Sequence, residues 1–105
     1  METTVATKSE ILRRLQQHRD EIRSLGVAKL GLFGSFVREE QGPESDVDLL
    51  VEFRREEKSF DNFMHLAFLL EDLLQRRVEL LTPQALSPHL GPHILEEVQD
   101  LPLEH

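Results

Sequence analysis

The run Val47 to Phe53, entered through Ser45-Asp46, constrains the fold more than any other part of the chain. On an extended backbone successive side chains alternate between faces, so residues 47, 49, 51 and 53 share one side and 46, 48, 50 and 52 the other. The first set is Val, Leu, Val and Phe, wholly apolar, and must face a core. The second begins Asp46, Asp48. Their Cα atoms then lie roughly 6.5–7 Å apart on one face. Two carboxylates converging to about 6 Å repel by roughly 2–3 kcal/mol at an effective dielectric of 20. A divalent cation suited to hard oxygen ligands, Mg²⁺ or Mn²⁺, turns that repulsion into attraction. Taken alone, Asp-x-Asp is also read as the polar edge of a strand in an acidic protein.

Ten residues separate Asp46 from the pair Gly34-Ser35 ahead of it. Glycine lets backbone N–H groups face an anion without side-chain obstruction, and serine adds a hydroxyl donor. By itself the pair is equally an ordinary strand-ending turn, here after Val27 to Phe33. Arg38 either reaches a phosphate or pairs with a nearby acid. A third carboxylate is offered by Glu79, the only acid in the apolar run Val78 to Leu81. It would bridge a metal or take the proton from an attacking hydroxyl, unless it is simply an exposed strand glutamate. Glu52 shares the face of Asp46 and Asp48 beyond Leu50 and reads as structural. The five histidines form no metal cluster at helical spacing, and without cysteine there is neither a thiolate nucleophile nor a disulfide framework.

Around these residues the chain reads as α-β-β-α-β-α. A helix is expected over residues 7–25, opened by Thr7 with Glu10 as a capping box and closed by Gly26. Its stripe is Ile11, Leu15, His18, Ile22 and Leu25, with Arg13, Arg14, Arg19 and Arg23 on a solvated face. Strands follow at 27–33 and 47–53. A second helix, capped by Ser59 or Asp61, runs to about Gln75 and is apolar nearly all round, so it is buried on several sides or covers a partner. A third strand at 78–81 ends at Thr82-Pro83. Ser87-Pro88 and Gly91-Pro92 break the chain before a short helix from Ile94 to about Gln99. The fold class is α+β, a small mixed β-sheet flanked by helices.

At 105 residues the chain fits one domain with one core, and 39% apolar with 30% charged residues describe a globular protein. No apolar run approaches a membrane span, and Met1 to Glu10 lacks the apolar core of a signal peptide, so the cytoplasm is expected. The net charge of −8 argues against stable nucleic-acid binding, which depends on cation contacts to phosphate. Leu103-Glu104-His105 resembles a tag remnant, which assigns the domain to residues 1–102.

On Leu32-Phe33-Gly34-Ser35, Arg38 and Ser45 to Phe53, with a weaker echo in Val78 to Pro83 and Ile94 to Val98, the chain resembles the minimal nucleotidyltransferase (MNT) family of the DNA polymerase β superfamily. The resemblance implies a nucleotidyltransferase (polymerase β-like) fold and transfer of a nucleoside monophosphate from a triphosphate, ATP favoured, to an acceptor hydroxyl. Two Mg²⁺ ions (Mn²⁺ the alternative) would be held by Asp46, Asp48 and Glu79, the last standing where the family usually has Asp. Gly34 and Ser35 would hold the β- and γ-phosphates, with Arg38 nearby. Many MNT proteins are antitoxins paired with a HEPN-type toxin, which the resemblance makes the expected partner and acceptor. The apolar helix 60–74 and the stretch 83–92 are the expected docking surfaces, and a homo-oligomer is a further use for them. Two other readings are a non-catalytic antitoxin that covers its partner, and a transferase acting on a small molecule or RNA.

Overall fold

Local signals fix most element ends in the computed structural model, which describes residues 4–103. The Thr7 side chain accepts from the Glu10 amide (3.2 Å) and opens α1 (Lys8–Gln17). The single helix expected over 7–25 is two. At His18 the backbone leaves the helical region (φ −116°, ψ 21°), and α2 (Arg19–Ser24) follows. The apolar stripe lapses there: His18 is part-exposed, 3.6 Å from the Glu21 carboxylate, while Ile22 beyond the bend is fully buried. Gly26 turns the chain at φ +92° into β1 (Val27–Phe33). Arg14 does not belong to a solvated face. It is 7% exposed, and its guanidinium donates to the Leu73 carbonyl at 3.0 Å.

A short helix α3 (Ser35–Arg38) and a loop connect β1 to β2 (Val47–Phe53), and these strands pair antiparallel. The next strand, β3 (Val78–Leu81), pairs parallel to β2, which requires a crossover. That crossover is α4 (Phe60–Leu74), capped by the Ser59 hydroxyl on the Asn62 amide (3.1 Å) and ended by Gln75 in the left-handed region. After a 3₁₀ turn at Pro83–Ala85 the last helix, α5 (Gly91–Glu97), starts at the Gly91-Pro92 step expected to precede it. Proline in a first turn has no intrahelical N–H bond to lose. The helix stops at Glu97 because residues 99 and 100 join the sheet as β4 (Gln99–Asp100), paired with Gly31 and Leu32. The sheet order is β3-β2-β1-β4, a mixed sheet with helices against it, as the fold class required.

The register sorts the sheet into two faces. Leu30 and Leu32 of β1 stand opposite Val51 and Leu49, and Leu49 opposite Leu80 of β3, so this face is apolar across three strands. With Ile11, Leu15 and Ile22 from α1 and α2 and Leu66, Leu70 and Leu74 from α4 it forms the core. Helix α4 is buried on one side only: Phe60 and Phe68 are 76% and 61% exposed. Leu103, expected as the first tag residue, is buried with Leu101 in the same core, and residues 104 and 105 lie outside the described ones. Among the described residues no helix is long and apolar enough to cross a membrane.

Candidate functional site

The opposite face of the sheet carries the acids. Register places Phe33, Asp48 and Glu79 side by side across β1, β2 and β3. Gly34, the residue after β1, therefore passes directly over Asp48. Its backbone (φ +80°, ψ −153°) is one that residues with a side chain rarely adopt, and a Cβ there would collide with the Asp48 carboxylate. The Gly-Ser turn and the Asp-x-Asp strand are thus in contact. Burial first, then a hydrogen bond to Glu79 and the charges of Glu79 and Asp46, push the Asp48 carboxyl up to about 7 from 3.8. Asp46, just ahead of β2, is part-exposed and lies 3.3 Å from the guanidinium of Arg77. Asp48 and Glu79 are paired while Asp46 is drawn aside; among the described residues no three acids or histidines are gathered closely enough to hold a metal. Glu52 is exposed opposite Lys29, away from this group.

Across Gly34 the charge pattern inverts. Its amide donates to Glu97 at the end of α5 (2.9 Å), and the other oxygen of that carboxylate accepts from Arg38 (2.6 Å). Arg38 also donates to Glu40 at 2.6 Å, so of its two expected uses the structure shows pairing with acids. Glu97 and then Glu40 raise the pKa of the Arg38 guanidinium. Burial works against a charged Glu97, but the Gly34 amide and Arg38 outweigh it and hold this carboxyl below its ordinary value. Ser35 is part-buried as the first residue of α3. Glu97 was not singled out in the sequence, because its partners lie 63 and 59 residues away and nothing near it in the chain signals them.

A second residue the sequence did not single out is Arg76. Its guanidinium donates to four carbonyls, Val5 (2.6 Å), Ser45 (2.8 Å), Gly42 (3.1 Å) and Pro43 (3.2 Å), and lies 5.1 Å over the Phe36 ring. It ties the 42–45 loop, which delivers Asp46, to the entry of β3. An open cavity of about 470 Å³ beside it is bordered by Ser45, Asp46, Arg76 and Arg77. Arg76→Ala is expected to cost roughly 2–3 kcal/mol, since hydrogen bonds to charged donors contribute about 1.5–3 and the carbonyls can partly turn to water. Urea unfolding measures it. A cost below about 0.5 kcal/mol, the range of ordinary surface changes, would refute the clamp.

The family profile described as "Nucleotidyltransferase domain" matches residues 15–101. The protein adenylyltransferase MntA of Thermococcus cleftensis is 41% identical over 93 residues, spanning 88% of this chain and 93% of that protein. A solved structure assigned as a minimal nucleotidyltransferase superposes with a TM-score of 0.67 at 32% identity, over 84% of this chain and 93% of the other. A tri-AMPylated Shewanella oneidensis HEPN toxin in complex with its MNT antitoxin gives a TM-score of 0.54 at 21% identity, over 82% of this chain and 70% of the matched one, a likeness of fold alone.

Proposed function

The chain belongs to the nucleotidyltransferase domain family, enzymes that transfer a nucleoside monophosphate, and from that premise we propose that it moves AMP from ATP to a hydroxyl of a HEPN-type toxin, as an antitoxin acting in the cytoplasm. The contact between the Gly34 turn and the Asp48 carboxylate, with Glu79 beside it, carries this reading. It brings the backbone of a residue with no side chain of its own to the same place as paired acids.

In donor chemistry the set suits divalent metal, with Asp46 having to leave Arg77 to join Asp48 and Glu79. Asp46, Asp48 and Glu79 offer only hard oxygens, and the crowding that pushes Asp48 up to about 7 is what a cation would relieve. These three would hold two Mg²⁺ ions, with Mn²⁺ the alternative. Bound there, the metal supplies Lewis-acid polarisation of the α-phosphate and neutralises charge on the departing pyrophosphate. The Gly34 amide and Ser35 hydroxyl hold the β- and γ-phosphates, and Arg38 balances their charge. The acceptor oxygen bonds to the α-phosphorus as the bond between that phosphorus and the α–β bridging oxygen breaks. Pyrophosphate leaves, and Glu79 takes the acceptor's proton. The partner docks on the exposed Phe60 and Phe68 of α4 and on Leu90 ahead of α5.

The test is incubation of the chain with a HEPN-type partner, labelled ATP and Mg²⁺. Label on a partner hydroxyl, located by mass spectrometry and dependent on Mg²⁺, is the expected result. A complex that forms and neutralises the toxin without label would instead establish a binding-only antitoxin, the reading favoured by Glu79 standing where the family usually has Asp.

A further inference from the structure

The Gly34 amide and the Arg38 guanidinium are the donors that the proposed reaction needs for triphosphate, and in this structure both are already taken by one carboxylate. Glu97 spans them with its two oxygens, at 2.9 Å to Gly34 and 2.6 Å to Arg38. A planar group bridging a backbone N–H and a guanidinium places charge as a phosphate group does when it accepts from the same pair. Glu97 is no loose surface residue. Its side chain is 21% exposed, and it is the last residue of α5. The next residue, Val98, packs over Gly31, where an added Cβ would lie 2.5 Å from its methyl group. Gln99 and Asp100 then pair with β1. The carboxylate is thus aimed from an element anchored on the sheet.

We propose that Glu97 is an internal competitor for the triphosphate, occupying the anion position between Gly34 and Arg38 so that nucleotide enters only by displacing it. The inference rests on the reading of that turn as the β/γ-phosphate site. It also assigns α5 a regulatory place. Leu95, on the helix that carries Glu97, is 55% exposed, and Leu90, immediately before it, is 62% exposed. A partner that drew α5 outward through these residues would withdraw the carboxylate and open the site. Nucleotide and partner binding would then favour each other, and the coupling is reciprocal by necessity.

Glu97→Gln tests this, since glutamine keeps the size and can still accept from the Gly34 amide while losing the charge. With AMP-PNP and Mg²⁺ as the titrant, calorimetry is expected to give a Kd about 5- to 20-fold lower in the variant than in the wild type. The melting temperature, read in parallel without nucleotide, should fall, because the Arg38 pair is weakened. A residue that merely orders the Gly34 turn would lower both affinity and melting temperature. An unchanged or higher Kd in Glu97→Gln therefore overturns the inference while leaving the nucleotide site standing. A wild type and a variant that both fail to bind AMP-PNP would overturn the nucleotide reading, and this inference with it. Glu97→Asp serves as a second variant: it keeps the charge, but one methylene less withdraws the carboxylate from both donors, and it too should bind AMP-PNP more tightly than the wild type.

Discussion

Asp48→Asn is expected to lower nucleotide transfer by roughly 10³-fold, about 4 kcal/mol of transition-state stabilisation, while making the metal-free protein harder to unfold. The two effects share one cause. Asp48 is crowded by burial, by Glu79 and by Asp46, so its carboxyl is pushed up to about 7 in the folded chain from 3.8. A carboxyl whose pKa is raised on folding contributes stability that is fully present below about pH 3.8. That contribution is lost as the pH climbs through about 7. Holding the carboxyl that far above its ordinary value corresponds to about 4 kcal/mol, but the group is only half-buried, and solvent screening reduces the usable part to about 1–2 kcal/mol. Asparagine carries no charge at any of these pH values. At pH 8 with a chelator the variant should melt about 4–8 °C higher for each kcal/mol recovered, and the difference should vanish near pH 4. Mg²⁺ should then raise the melting temperature of the wild type and leave Asp48→Asn nearly unmoved. A variant that melts lower than the wild type at pH 8 would show that Asp48 is held by favourable contacts and is not strained.

Strand alternation alone put Asp48 on the polar face of β2, because a period of two can be read without knowing any neighbour, whereas Asp46 stands just ahead of the strand and turns to Arg77. The Thr7 and Ser59 caps and the Gly26 turn were legible for the same reason, since each rests on residues within three positions. Glu79 could be chosen as the only acid in its strand, but its place opposite Asp48 depends on the parallel register set by the α4 crossover. What the sequence could not show are partners with no local signature. Arg76 is satisfied by four backbone carbonyls, and carbonyls are identical at every position. Arg14 looked solvated because its partner, the Leu73 carbonyl, lies 59 residues on. Nothing local marks Glu97, whose place beside Gly34 depends on β4, two residues long and below the reach of any periodicity, fixing the end of α5. The break at His18 follows from the same limit: six residues of α2 pack where Ile22 finds the core, which helical spacing by itself does not locate.

Gly34→Ala should damage both stability and activity, through a contact that can be relieved by a second substitution. The added Cβ would collide with the Asp48 carboxylate, and the backbone at φ +80°, ψ −153° is one that alanine adopts only under strain. Strain of this kind costs about 1–3 kcal/mol, and with the clash a loss of about 3 kcal/mol is expected, with transfer abolished because the amide and Asp48 can no longer share the site. Gly42→Ala is the control. A Cβ at Gly42 meets nothing within 4 Å, so its effect should stay within about 0.5 kcal/mol. The sharper measurement is the double variant Gly34→Ala/Asp48→Ala. With the carboxylate gone, the two nearest atoms are removed and the Cβ of residue 48 remains 3.1 Å away, a close approach that a small shift can accommodate. The clash then disappears and only the backbone strain remains. The cycle should therefore show about 1 kcal/mol or more of favourable coupling, where independent sites would be additive within about 0.5 kcal/mol. Additive costs would mean that Gly34 does not rest on Asp48, and the joining of phosphate turn to carboxylate would lose its basis.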